Sequence, residues 1–453
     1  MTQSDQMRRR SLVSVILLAA LVGGVACAQD FRVYTEHPRL FLQSRRLKLL
    51  ERERERESTR WQRFEALIKS GVALPEPGFA KALYSRVAGD AGACVEAVDW
   101  ALGDASDLRQ LALVFDWCQP QLTGEKSRAL SAKLVLGSTA LSSDSGIPAI
   151  RDRVLAAIAL ADHSAPISEQ QLRRVVEQWW RGRIVPALLG GREAIPRDDM
   201  LALLEILHAV RDNLMLDLRE AAPEYFRDLP PSLLLGYYPS PHPATEDEFF
   251  IPAVKGGGQP DLRRAALARA ADLSLVAYDT NSGENQYLQG WLTRDPYMMR
   301  SPFGVVYEFL WANPYQPGLS YYHFPLFFHN NVGSLFARSS WNDDATWLGY
   351  LGGELQVFDS GGLKIVTDQP ASKPIRLGDV AIYMLSGAPS SRIDPPGVEM
   401  VFLLGLRPKS AYTVEVEGDK RREEMTDSGG ILSVSIAEKP GAWIRIREAS
   451  RPD

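Results

Sequence analysis

YEFLWANPYQPGLSYYHFPLFFHNNVGSLFARSSWNDDATWLGY, from Tyr307 to Tyr350, is where the chain changes character. Upstream, apolar residues recur at helical spacing. Downstream they alternate with period two. The stretch itself holds an aromatic, proline-punctuated connector, the last two histidines of the chain, and the first strands of the downstream half. Ten aromatic residues lie between Phe303 and Phe328.

Upstream, from Phe79, alanine-rich helices succeed one another with short breaks; ACVEAVDWALGD and DLRQLALVFDWCQPQL are two of them. Gly89-Asp90 and Gly103-Asp104 carry stop-and-cap chemistry between helices. Ser44 reads as the cap of an earlier helix, and the alternating Glu51 to Glu57 run as its solvated face. Short connections place neighbouring helices antiparallel. The pattern predicts an incomplete α/α toroid over residues 29–300. Between Leu229 and Gly258 prolines and glycines interrupt it, which predicts a long loop over one end of the toroid. Residues 301–332 read as an aromatic linker. Downstream, ATWLGYL, ELQVFD, AYTVEVEG and similar runs predict an antiparallel β-sandwich over 333–453.

Before the helices, Arg8 to Arg10 precede an apolar run that ends in Ala26-Cys27-Ala28. This is the pattern of a secretory signal peptide, with cleavage expected after Ala28. Lipidation at Cys27 is the alternative. The run is short for a membrane span. Loss of residues 1–28 removes three Arg and one Asp, so the net charge of −5 becomes −7. A mildly acidic exported chain is a poor ligand for nucleic acid or an anionic membrane. Cys94 and Cys118 remain, either paired across consecutive helices or as two buried thiols. There is no Cys/His cluster, Walker loop, GxSxG, HExxH or calcium loop, so no metal or other cofactor is expected.

Three stretches resemble the heparinase II/III-like and alginate-lyase-like superfamily: HPRLFL (His37–Leu42), LALVFDWCQPQLTGE (Leu111–Glu125) and FARSSWNDDATWLGYLGG (Phe336–Gly353). The resemblance implies a helical toroid followed by a β-sandwich, and β-elimination on uronate-containing polysaccharides. That reaction needs a group to neutralise the C6 carboxylate, a base for the C5 proton and an acid for the leaving oxygen. In the superfamily the toroid supplies an Asn-His pair and a Tyr, and the sandwich a His soon after the DATW strand. Here ELQVFDSGGLKIV has no histidine, none comes after His329, and the toroid has no Asn-His dipeptide. Its histidines read otherwise, His208 as a core residue and His163 as a helix C-terminal one.

The residue types needed cluster instead at the junction. Tyr322, His323 and His329 are the candidate catalytic groups, with Asn330 beside them. Glu308, Trp311 and Asn313 are candidate substrate contacts, as are Tyr238 and His242 in the long loop. Arg338, like Arg192 and Arg197, is a candidate for uronate neutralisation. Each has a bland alternative: the aromatic residues pack two domains together, and Arg338 is an ion-pair member. The carboxylates Glu246, Asp247 and Glu248 raise a hydrolase reading. Three functions are compatible with these residues: an exported lyase-like protein acting on or binding an acidic polysaccharide, a non-catalytic glycan-binding or envelope scaffold, and a toroid glycoside hydrolase.

Overall fold

The computed structural model describes residues 30–449, other than 141–145, 244–247, 258–260, 295–298, 314, 316–317, 368–372 and 386–389. The N-terminal run and the carboxylates Glu246 and Asp247 lie outside the described residues.

Helices occupy the chain from Ser44 to Trp311. They are α1 (Ser44–Glu55), α2 (Thr59–Lys69), α3 (Pro77–Ala88), α4 (Ala91–Leu102), α5 (Leu108–Trp117), α6 (Gly124–Ala140), α7 (Ile147–Ala159) and α8 (Ala165–Arg173). α8 runs on as a π-helical segment, Arg174–Ile184, and then come α9 (Val185–Leu189), α10 (Met200–Leu214), α11 (Pro223–Leu235), α12 (Leu262–Tyr278), α13 (Gly283–Leu292) and α14 (Gly304–Trp311). Gly89 ends α3 in the left-handed region, and the Asp90 carboxylate accepts the N–H groups of Gly92 and Ala93 to start α4. The second expected cap moves: Asp107, not Asp104, receives the Gln110 N–H. Gln43 rather than Ser44 precedes α1, without a side-chain cap. The charged face of α1 is not wholly solvated either, since Glu53 is fully buried against Ser58 and Arg60.

α3, α5, α7, α10, α12 and α14 pack each against the next, and α14 returns to α2. There Phe309 stacks on Phe64 at 4.9 Å between ring centroids and tilts against Trp61 at 5.7 Å. At the ring centre Glu205 of α10 accepts two hydrogen bonds from Arg109 Nε (2.9 and 3.0 Å) and one from Nη2 (2.7 Å), with Arg151 at 3.4 Å. Tyr307 donates to Glu76 beside them. HPRLFL and LALVFDWCQPQLTGE meet at the C-terminal end of α5. The buried Asp116 carboxylate accepts the backbone N–H groups of Arg39 and Leu40 and lies 2.5 Å from the His37 ring, while Trp117 Nε1 donates to the Leu40 carbonyl. HPRLFL is thus held by the Asp-Trp pair that ends α5. A disulfide joins Cys94 of α4 to Cys118, just past α5, with 5.7 Å between Cα atoms, which settles the open alternative.

The long loop is shorter than expected. α11 continues through Pro230 and Pro231 to Leu235. The prolines remove two helical donors, and Ser232 Oγ donates to the Asp228 carbonyl within the same turn. Beyond it, Tyr238 N–H donates to Ile251 and Ala253 N–H to Gly236, closing residues 236–253 into a narrow ribbon. Two short strands, β1 (His242–Pro243) and β2 (Glu248–Phe249), pair antiparallel within it.

The β half is a stack of three sheets. The first is a meander of β3 (Phe327–Asn330), β4 (Ser334–Arg338), β5 (Trp347–Leu351), β6 (Glu354–Asp359) and β7 (Gly362–Val366). The second orders β14 (Leu432–Ser435), β11 (Met400–Leu404), β9 (Val380–Met384) and β8 (Ile375–Leu377). The third orders β10 (Ser390–Ile393), β15 (Ile444–Glu448), β12 (Ala411–Val416) and β13 (Arg422–Met425). Pairing is antiparallel except β9 with β11. The middle sheet is buried on both faces. Ile382 and Phe402 face the first sheet, and Tyr383 and Leu403 face the third. This is why VAIYML and EMVFLL are continuous apolar runs rather than alternating ones.

The first sheet also turns Phe336, Trp347 and Phe358 toward the helices, joining them to the helical core. Trp347 Nε1 donates to the Leu235 carbonyl at the end of α11. The residues expected to be linker therefore divide. α14 belongs to the ring, β3 belongs to the sheet, and the chain between them crosses from one to the other.

Candidate functional site

A cavity of about 650 Å³ separates the helical ring from the β stack. One wall is α11 with the loop at 190–197. The other is made by the β3–β4 hairpin and by the turn through which the chain passes from β13 to β14. Pro223 opens α11 and puts Glu224 and Tyr225 in its first turn. Farther along, Ser232 Oγ accepts from Asn330 Nδ2 at 3.0 Å, and Asn330 Oδ1 accepts the Ser334 N–H that closes the β3–β4 turn. Asn330 is thus both a turn residue and a clasp onto the helix.

The β13–β14 turn is organised by Asp427. One carboxylate oxygen accepts the N–H groups of Gly429 and Ile431 at 2.9 and 2.7 Å. The other lies 2.8 Å from His329 Nε2. An ionised carboxylate only accepts, so Nε2 carries the proton and Nδ1 keeps its lone pair in the neutral ring. Nδ1 has no partner among the described residues. Gly333 makes the approach of the two turns possible: it sits at φ +87°, and a Cβ there would lie 2.3 Å from the Gly429 nitrogen. Gly191, at φ +65°, brings the helical loop to the carbonyl of Asn331 in the same way. Lys409 donates to the Gly190 carbonyl, and Ser428 to that of Asn331.

The Tyr225 hydroxyl has no hydrogen-bond partner among the described residues. Burial, and next the charge of Glu193, hold its pKa above the ordinary tyrosine value. Arg197 bonds Asp272 at 3.1 Å, and Tyr237 donates to the same carboxylate at 2.7 Å. Burial pushes Asp272 upward, against Arg197. The Nε of Arg197 is buried and has no hydrogen-bond partner among the described residues.

Of the residues expected from sequence, His329 and Asn330 line this cavity, and Arg197 joins them. Tyr322 and His323 do not. They form an exposed turn between α14 and β3, with Tyr322 stacked on Tyr321 at 4.6 Å and 53% exposed. Tyr238 and His242 line a second cavity of about 450 Å³ on the far side of the 236–253 ribbon. Within it the Tyr238 hydroxyl is bonded to Gln356 and, mainly through burial, pushed up to about 12. Glu308 and Trp311 lie buried in the ring; Glu308 faces Arg269 at 3.5 Å and Trp311 packs on His208 and Phe41. The Asn313 carbonyl accepts from Gln289. Arg338 is buried over Trp341, bonded to the Ser340 carbonyl, and lowered to about 10 chiefly by burial. These four serve packing rather than a cleft. Tyr225, Glu193, Glu224 and Asp427 were not anticipated. The DSGG turn at Asp427–Gly430 was the one visible signal, a turn in which the Asp carboxylate bonds the backbone just after it.

Among the described residues no group of His, Cys, Asp and Glu gathers to hold a metal ion, and no helix is long and apolar enough to cross a membrane. Comparison with known proteins finds no family model and no curated protein that matches the chain.

Proposed function

We propose that the chain is an exported, polysaccharide-lyase-like protein that holds a uronate-containing glycan in the cleft between ring and sheets and cleaves it by β-elimination. The observation that carries this reading is one cavity lined by Tyr225 from the helices and by the His329–Asp427 pair from the β half. His329 Nδ1 takes the C5 proton. The electron pair left on C5 forms the C4=C5 double bond as the C4–O bond breaks, and the Tyr225 hydroxyl protonates the departing oxygen. A tyrosine whose pKa is raised stays protonated at neutral pH, which suits the acid role. Asn331 and Arg197, both on the cavity wall, are the groups available to the C6 carboxylate. The signal-like N-terminus and the Cys94–Cys118 disulfide support export to the periplasm or beyond.

A second reading, binding without cleavage, is favoured by the prior commitments of two polar groups. Arg197 is bonded to Asp272, and Asn330 is spent on Ser232 and Ser334. Ultraviolet absorbance from new C4=C5 bonds, monitored over a panel of uronate polysaccharides, separates the two. Absorbance that is lost in His329→Ala supports elimination. Retained binding with no absorbance on any member of the panel establishes the second reading instead.

A further inference from the structure

The second cavity, of about 450 Å³, differs from the cleft in its chemistry. It lies between the 236–253 ribbon, the start of α12 and the β6–β7 hairpin. Neighbouring ribbon residues point to opposite faces: Tyr237 donates to Asp272, the partner of Arg197, while Tyr238 lines the second cavity. The walls are apolar, from Ile251, Val254, Ala265, Leu363 and the rings of Tyr238 and Phe358. The two rings stack at 5.2 Å with 20° between their planes, and Trp347 meets Tyr238 edge-on at 5.2 Å. The Tyr238 hydroxyl donates to the fully buried Gln356, whose amide donates in turn to the Val254 carbonyl. Gly257, at φ +65°, brings its loop onto β7, where a Cβ would lie 2.8 Å from Leu363 Cδ2. Walls fixed in this way do not collapse into the space, and an apolar cavity of this kind takes small apolar rings. Ser240, His242, Asp261 and Arg264 form its polar edge. Arg264 is bonded to Asp198 at 2.6 Å, and the Asp261 carboxylate accepts the N–H groups of Arg263 and Arg264. Hydrogen-bonding capacity is left there on the Ser240 hydroxyl and the His242 ring, neither with a partner among the described residues. An anion finds no unpaired Lys or Arg at this edge among the described residues. A sugar would strand its hydroxyl groups against the apolar walls. A flat ring with one polar substituent satisfies both parts of the cavity.

We propose that this cavity is a binding site for a small uncharged aromatic compound carrying one carbonyl or hydroxyl group. Its ring lies against Tyr238 and Phe358, and its polar group reaches Ser240 and His242. The site is separate from the cleft and stands whether or not the lyase reading does.

Calorimetric titration of the intact protein near neutral pH tests it with acetophenone, its anionic analogue benzoate, and methyl glucoside. Acetophenone should bind at one site with a Kd below about 1 mM. Benzoate and methyl glucoside should each bind at least about tenfold more weakly, because a carboxylate without a cation and hydroxyl groups against apolar walls lose their hydration uncompensated. Val254→Phe, at a half-buried loop position, fills the cavity and should weaken acetophenone by at least about tenfold. Ser240→Ala/His242→Ala, at the edge of the cavity, should weaken it about three- to tenfold through lost hydrogen bonds while the fold is retained. Benzoate or methyl glucoside binding as tightly as acetophenone overturns the aromatic assignment. Absence of saturable acetophenone binding overturns the site. Acetophenone binding unchanged in Ser240→Ala/His242→Ala places the compound elsewhere and overturns the proposal, whatever Val254→Phe does to the fold. None of these outcomes bears on elimination in the cleft, which is read from absorbance in His329→Ala.

Discussion

At the centre of the helical ring and in the cleft beside it, the same residue types are set to different ends. In the ring, Arg109 and Glu205 are almost wholly buried and joined by three hydrogen bonds, with Arg151, Glu76 and Tyr307 closing the network. In the cleft, Tyr225, His329 Nδ1, Glu193 and Glu224 face open volume without protein partners among the described residues. Arg109 Nη1 is the exception, buried without a hydrogen bond among the described residues and 3.6 Å from Glu76. Polar groups bonded in this way in a low-dielectric interior fix one arrangement of helices. Groups left unsatisfied beside a cavity contribute nothing to the fold and remain available to a ligand. The difference is testable, because substitutions in the ring should act on stability and those in the cleft on function.

The largest expected effect is in the ring. Glu205→Ala leaves Arg109 buried and uncompensated, and breaking a buried pair from one side costs about 3–5 kcal/mol. Urea unfolding should show the midpoint collapse; a change below about 1 kcal/mol would mean that water enters the ring and that the contrast with the cleft is false. Tyr225→Phe comes next. It should lower the rate of absorbance growth by about 10²-fold or more, the ordinary contribution of a positioned proton donor, while the urea midpoint stays put. A loss of stability with no loss of rate would place Tyr225 on the structural side of the comparison.

His208 gives the ring a pH signature. Burial, then the charge of Arg211, holds its pKa well below the ordinary 6.5. Above about pH 6.5 the imidazole is neutral whether the chain is folded or not, and it adds no pH dependence. Below that value the unfolded chain takes up a proton that the folded chain refuses, so stability falls with falling pH, by up to about 1.4 kcal/mol per unit. In His208→Gln, which can still donate to the Ser274 carbonyl that His208 Nε2 meets at 3.0 Å, the acid slope should shrink by that much. An unchanged slope between pH 6.5 and 5 would show that His208 is protonated in the folded protein.

The order of helices and strands was legible because period 3.6 and period 2 are local signals, and the switch falls near Gly333 as the pattern requires. α11 was misjudged at Pro230-Pro231, where tertiary contacts and Ser232 override a strong local breaker. The isolation of Glu53 from water was equally hidden, since its partners Ser58 and Arg60 lie across a helix break. His329 and Asn330 were singled out because histidine is scarce in this chain, and the fold places both on the cavity wall. Tyr225 and Asp427 lie about 100 residues to either side of them in the sequence, and no spacing rule connects a helix start to a turn between sheets that only the fold brings near. Tyr322 and His323, singled out for the same residue types, lie in the exposed turn between α14 and β3 and do not line the cavity.

The smallest expected effects bear on that crossing, and they sharpen the comparison by separating neighbours. Gly191→Ala should cost about 1–2 kcal/mol, because an alanine must hold φ +65° and its Cβ would sit 2.8 Å from the Asn331 carbonyl oxygen. Since that contact ties the helical loop to the β3–β4 hairpin, the same substitution should also weaken glycan binding by moving one cleft wall. Tyr322→Ala removes a ring that is 53% exposed and stacked on Tyr321. Stability should change by less than about 0.5 kcal/mol, and elimination should proceed at the parental rate. If Tyr322→Ala instead abolished the absorbance while Tyr225→Phe spared it, the reacting sugar would sit at the exposed aromatic turn. The cleft would then be a cavity without chemistry.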